Sequence, residues 1–205
     1  MITVYKRSTY MQNRGFIKSL TILGLVTAFV VAGTGCSKKL TSDTTVTEAS
    51  AQETIDPMSF TFIDAKIRDY TFSINEYMRE HLSEATQKKT EGKTNNGIPV
   101  NSTYTISPDS KYESLQMEKR LSNGVQVDEY FNMGDSVFVA RTTIYDDGDY
   151  EPVEKYYIFD GGLYKVDGLA ETVTKLADSN DESWASKKME LDLYFSFDEI
   201  RAIYG

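Results

Sequence analysis

The sequence predicts an α+β fold: a long N-terminal amphipathic helix packed on a curved antiparallel β-meander of five to six strands, with short helices at the C-terminus. Three observations predict it. Apolar residues recur at three- and four-residue steps over residues 60–89. From Ser102 to Val166 the period changes to two. Turn signals punctuate that second stretch every 10–15 residues.

The helix is read from Ile63, Ile67, Tyr70, Ile74, Tyr77, Met78, Leu82 and Ala85, with Asp64, Lys66, Arg68, Asp69, Glu76, Arg79 and Glu80 on its other faces. Ser59 to Ile63 also fits a short strand. Residues 88–97 read as a polar loop, with Lys88 and Lys89 placed to complement a helix C-terminus. The strands are separated by Ser107-Pro108-Asp109, Ser122-Asn123-Gly124, Asn132-Met133-Gly134-Asp135, Asp146-Asp147-Gly148-Asp149 and Asp160-Gly161-Gly162. A three-residue Ser122-Asn123-Gly124 loop sets Leu121 opposite Val125 and Leu115 opposite Phe131, gathering one apolar face and giving Gly124 a left-handed conformation. Val137–Tyr145 is apolar on both faces near its start, which places it centrally in the sheet. Pro152 marks a strand start, a bulge or an edge.

Beyond Val166, Leu169 to Ala177 reads as a helix, and Met189, Leu191, Leu193 and Phe195 alternate as a last strand. Ser196-Phe197-Asp198-Glu199 is a capping-box pattern opening a short helix through Ile203. A helix laid on one face of an antiparallel sheet is a layer arrangement that resembles cystatin-like cones and the half-barrel lipid carriers of the bacterial envelope. No motif in residues 58–205 selects a family, so that likeness carries no function.

Composition divides the chain into three segments: a leader at 1–35, Cys36 with a tether to residue 57, and one domain at 58–205. The leader carries Lys6, Arg7, Arg14 and Lys18 and no acid, then an apolar run from Leu20 to Ala32 that is shorter than a spanning helix needs. Small residues Gly33, Thr34 and Gly35 precede Cys36, the only cysteine. Met11 is an alternative start that leaves Arg14 and Lys18 as a compact basic head. The segment resembles a bacterial lipoprotein signal peptide ending in a lipobox, with Gly33 where that family usually has Leu. The resemblance implies cleavage before Cys36, a diacylglyceryl group of palmitate type on its thiol, and a location at the cell membrane facing outside the cytoplasm. Residues 37–57 are rich in Ser and Thr and lack aromatics, so they cannot build a core. As a flexible coil they reach roughly 25 Å.

Removing the leader takes four basic residues and no acids, leaving 18 Lys and Arg against 31 Asp and Glu, a net charge of −13. That balance argues against nucleic acid and against direct adhesion to anionic lipid. With no cysteine after Cys36, disulfides and thiolate chemistry are excluded from the domain.

Candidate chemistry is sparse. His81 is the only histidine, which rules out the usual His/Cys zinc sites, and no nucleophile-elbow motif supports a triad around it. Asp146, Asp147, Asp149 and Glu151 form the sharpest constellation, a candidate cation site by oxygen count, but Asp and Gly also serve a hairpin turn directly. Asp178, Asn180, Asp181 and Glu182 form a second acidic loop without calcium-loop spacing. Tyr130, Tyr145, Tyr156 and Trp184 are a candidate ligand surface, since exposed aromatic rings suit glycans and peptides; the competing reading is half-buried strand packing. No catalytic residue, metal or cofactor is assigned.

The expected function is a membrane-anchored extracytoplasmic lipoprotein acting as a non-catalytic binding or scaffold module of the cell envelope. Its partners are the membrane through Cys36 and an envelope protein, peptide, glycan or lipid, with no nucleic acid. The alternative is a carboxylate-dependent envelope hydrolase. A transporter's solute-binding subunit fits less well, because the domain lacks the βαβ alternation of a two-lobed receptor.

Overall fold

The computed structural model describes residues 56–94 and 96–205. The leader, Cys36 and the tether as far as residue 55 lie outside the described residues.

Helix α1 spans Phe60–His81. Ser59 caps it, its hydroxyl accepting from the Phe62 amide at 3.4 Å, which settles the Ser59–Ile63 ambiguity in favour of helix. Ile63, Ile67, Ile74 and Met78 are buried along one stripe, as their spacing requires. The helix stops eight residues before its expected end: the Glu84 and Ala85 amides both turn back onto the His81 carbonyl.

Past this turn the chain enters a sheet. Eight strands form one antiparallel sheet in strict sequence order: β1 Thr86–Lys93, β2 Pro99–Ile106, β3 Glu113–Arg120, β4 Gly124–Asn132, β5 Ser136–Tyr145, β6 Glu154–Phe159, β7 Gly162–Asp167 and β8 Thr172–Asp178. The expected five to six strands leave out both edges. β1 is exposed along its whole length, so it has no buried face to impose a period of two; only its ladder with β2, from Thr86↔Ile106 to Lys93↔Pro99, defines it. Lys88, Lys89 and Lys93 are exposed on this open edge, where their charges oppose pairing with another strand. β8 stands where the pattern predicts a helix. The apparent helical stripe begins at Leu169, which is 96 % exposed at the β7–β8 turn, and only Ala177 of the strand is fully buried.

The sheet is covered on both faces. Phe131, Phe138, Tyr157 and Val166 meet α1, with the Phe131 and Phe138 rings stacked at 5.7 Å. Leu115, Tyr130, Val139 and Tyr156 point the other way, beneath a C-terminal layer of helix α2 (Ser183–Leu191), an extended Leu193–Phe195 link and helix α3 (Phe197–Tyr204). The expected final strand therefore dissolves into two elements. Met189 is 71 % exposed on α2, the chain reverses at Asp192 with a left-handed φ of 51°, and Leu193 and Phe195 are buried in the core with Leu191 packed against it. The capping box at Ser196 holds: its hydroxyl accepts from the Glu199 amide at 3.2 Å, and Glu199 accepts from the Phe195 amide at 3.1 Å. Burial of Val137, Phe138 and Val139 on alternate faces explains the apolar run that marked β5 as central.

Two layers also explain the β3–β4 register. Leu115 faces Tyr130, Ser114 faces Phe131, and the Leu121 amide donates to the Gly124 carbonyl across a two-residue Ser122-Asn123 loop. Collecting one apolar face gives the wrong register, because Phe131 belongs to the α1 layer and Leu115 to the other. Gly124 is not left-handed; a Cβ there would overlap the Ile144 carbonyl oxygen.

Charges fasten the C-terminal layer. Asp128 of β4 is fully buried and receives the Arg141 guanidinium at 2.6 and 2.9 Å and the Lys119 ammonium at 2.9 Å. The two cations also reach upward: Arg141 donates to the Leu191 carbonyl at 2.7 Å, and Lys119 to the Asp192 carbonyl at 2.7 Å. At the far end Arg201 of α3 grips Glu113 of β3 at 2.9 and 2.5 Å. Burial pushes the Glu113 carboxyl up, but hydrogen bonds from Arg201, Tyr104 and Asn132 outweigh it and hold it below its ordinary range.

Two substitutions test this packing by equilibrium unfolding in urea. Gly124→Ala should lower stability by about 1–3 kcal/mol through backbone overlap, and an unchanged midpoint would show that β5 approaches less closely. Asp128→Ala should cost about 3–5 kcal/mol by stranding the buried Arg141 guanidinium; a loss near that of an exposed ion pair would contradict this.

Candidate functional site

The side chains singled out by sequence do not assemble into one site. Tyr130 and Tyr156 are interior, flanking Val139 on adjacent strands beneath the C-terminal layer, so neither offers a surface to a ligand. Trp184 is half-buried, edge-on to Phe195 at 4.6 Å. Tyr145 ends β5 and donates to Glu151. The four acids of the β5–β6 connection are used by the fold, Asp149 through its backbone carbonyl, which accepts from the Tyr145 amide at 2.8 Å. Asp146 pairs with Arg120 at 3.1 Å, Asp147 accepts from the Asp149 amide at 3.1 Å, and Glu151 receives Tyr145. Among the described residues no three acids or histidines gather as a metal-binding group. Asp178 and Asp181 are likewise engaged locally, with Lys175 and with the Ser183 amide that starts α2. His81 ends α1, its ring 4.5 Å from that of Tyr77.

A different set of residues does converge. Helix α1 crosses the sheet beside the β2–β3 and β4–β5 turns and leaves a groove of about 330 Å³. It is lined by Lys66, Asp69, Tyr70 and Ser73 from the helix, Lys111 and Tyr112 from one turn, and Met133 from the other. Tyr70 meets Tyr112 edge-on at 5.8 Å, and Tyr112 meets Tyr77 at 5.3 Å, so three rings pack in series. The Tyr70 hydroxyl donates to the Asn132 carbonyl; its burial holds its pKa well above the usual phenol range.

Local hydrogen bonds shape the two turns that wall the groove. In the β2–β3 turn Asp109 accepts from the Ser107 hydroxyl at 2.7 Å and the Lys111 amide at 3.1 Å, while the Tyr112 amide donates to Ser107 at 2.9 Å. In the β4–β5 turn Gly134 takes a positive φ of 87° and donates to the Asn132 side chain at 3.0 Å. Lys66 is tied to Asp135 at 2.8 Å and to the Tyr157 hydroxyl at 3.1 Å. Lys111 is exposed over the Tyr112 ring at 5.1 Å and has no carboxylate partner among the described residues. The groove thus offers the half-buried Tyr70 ring, with Tyr112 buried behind it, and a free ammonium on a strongly acidic chain.

A wider depression of about 490 Å³ lies between the β1–β2 and β3–β4 hairpin tips, lined by Gly97, Ile98, Pro99, Arg120 and neighbouring turn residues. It has no aromatic ring, and Arg120 is already paired with Asp146. Neither the groove nor this depression takes in Glu129, which stands on the α1 side of β4 between Gln116 and Ala140. Glu129 is partly buried without a hydrogen-bond partner among the described residues, and burial pushes its carboxyl up to about 7.

The groove is not legible in the sequence. Tyr70 and Tyr77 appear there as part of a helical stripe, and Lys111-Tyr112 as residues after a turn. Their meeting is set by the crossing of α1 over strand ends, a long-range fact. Compared with family models, curated proteins and solved structures, the chain matches none.

Glu129 gives the domain a pH dependence of definite sign. Its folded pKa lies above the ordinary 4.5, so ionisation costs nothing below 4.5 and its full penalty by pH values above about 7. Glu129→Gln should match the wild type near pH 4 and exceed its stability at pH 8 by about 1–3 kcal/mol, discounted for partial exposure. Parallel pH profiles would show that Glu129 is well solvated.

Proposed function

We propose that this chain is a lipid-anchored extracytoplasmic binding module, held at the cell membrane through Cys36 and presenting the α1 groove to an envelope partner. The observation that carries the reading is the amino-acid sequence of the leader: basic head, short apolar run, small residues Gly33-Thr34-Gly35, then the chain's only cysteine. No described helix is long and apolar enough to cross a membrane, so the described domain supplies no second anchor of that kind. Both faces of the sheet are occupied by the domain's own layers, which leaves grooves and edges as the surfaces available to a partner. Tyrosine with an unpaired lysine suits a glycan or peptide that presents a carboxylate or hydroxyl-rich face.

A second reading, a carboxylate-dependent envelope hydrolase, is favoured by Glu129 alone, since a carboxyl protonated near neutral pH is what a general acid needs. Its nearest carboxylate neighbour by register is Glu118, which sits opposite Val127 and so diagonal to Glu129. Release of reducing ends from isolated envelope glycan by the wild type, lost in Glu129→Gln, would favour that reading over the first.

The anchor is tested by expressing the wild type and Cys36→Ala in a bacterial host. The wild type should lose residues 1–35, gain acyl mass and fractionate with membranes, while the variant does none of these. Identical processing and location of the two would overturn the proposal.

A further inference from the structure

Beneath the C-terminal layer a buried amine and a mostly buried carboxyl group are held in contact. Lys119 is 1 % exposed, and its Nζ lies 3.0 Å from Oδ2 of Asp192 and 2.9 Å from Oδ2 of Asp128. The two carboxylates are not equivalent. Asp128 is gripped on both oxygens by Arg141. Oδ2 of Asp192 is buried and accepts no aligned hydrogen bond in spite of the close ammonium. A buried acceptor left in that state is costly. The left-handed backbone of Asp192 (φ 51°) is unusual for a non-glycine residue, and it is what brings carbonyl and side chain together over Lys119.

We propose that Lys119 and Asp192 condense into a side-chain amide, with Asp128 as the proton carrier. Asp128 takes one proton from the ammonium. Asp128 passes that proton to Oδ2 of Asp192, and the neutral Nζ attacks Cγ of the resulting acid and forms the Nζ–Cγ bond. The Cγ–Oδ2 bond then breaks, and a second proton from Nζ completes a water molecule. One ammonium and one carboxylate become one amide and one water, with no change in net charge and no oxidant. Three features favour the step. The reactants are positioned by the fold, which removes most of the entropic cost of meeting. Condensation replaces two buried charges by a neutral group. The Asp192 side chain keeps 15 % of its surface exposed, which gives the water an exit.

The link would join β3 to the chain 73 residues later, pinning the C-terminal layer to the sheet. In a domain without cysteine it would do the work of a disulfide, constraining the unfolded chain.

The test is a peptide map of the full chain purified from a bacterial host, unfolded and digested, and it reads the same whether or not Cys36 carries lipid. The wild type should yield a branched peptide joining the segments around Lys119 and Asp192, lighter by one water than the two linear peptides combined. Lys119→Arg, which keeps the cation, should yield only linear peptides. Full recovery of linear peptides from wild-type protein that unfolds cooperatively would overturn the proposal. A branched peptide of wild-type yield in Asp128→Asn would overturn the role given to Asp128.

Discussion

The position of Asp128 constrains the rest of this domain. A carboxylate at zero exposure is tolerable only with charge and hydrogen bonds around it, and Arg141 and Lys119 supply both. Those two cations have further donors, which they direct to the Leu191 and Asp192 carbonyls. The end of α2 is thereby drawn down over β3–β5, which sets where Leu193 and Phe195 enter the core and where α3 begins. Glu113 and Arg201 repeat the device at the other end of the layer. The interior charges thus fix the position of a layer whose apolar packing comes from Leu193, Phe195, Phe197, Ile200 and Tyr204.

That arrangement makes the sheet a shared wall between two cores, and this decides how much of it can be read from sequence. Helix α1 is legible because its stripe of Ile63, Ile67, Ile74 and Met78 meets a single apolar layer. β5 is legible because it is apolar on both faces. The β3–β4 pairing is not, since Leu115 and Phe131 serve opposite cores and the pattern does not say which. The edges β1 and β8 are illegible for the opposite reason: they bury too little to carry a period, and hydrogen bonding to a neighbour holds them as strands. The alternation from Met189 to Phe195 misleads because a left-handed Asp192 divides it between a helix and an extended link.

The groove beside α1 shows the same limit on a functional scale. Its rings are visible as tyrosines, but the sequence offers Tyr130 and Tyr156 equally, and those two are core residues. Tyr70 and Tyr77 keep a half-buried edge that Tyr130 and Tyr156 lack, and which layer covers a ring is settled by the C-terminal segment and the helix crossing. Local signals survive where the chemistry is local. The Ser196 cap forms as expected, and the acids of the β5–β6 connection go to ion pairing and turn hydrogen bonds.

If the charged centre holds the C-terminal layer to the sheet as one unit, hydrogen exchange read by mass spectrometry on the native protein measures it directly. The amides of Leu193–Tyr204 should then exchange as slowly as those of β4 and β5, through the same global opening. Fast exchange of Leu193–Tyr204 while β4 and β5 stay protected would show that the layer opens by itself, and that the buried ion pairs do not fasten it.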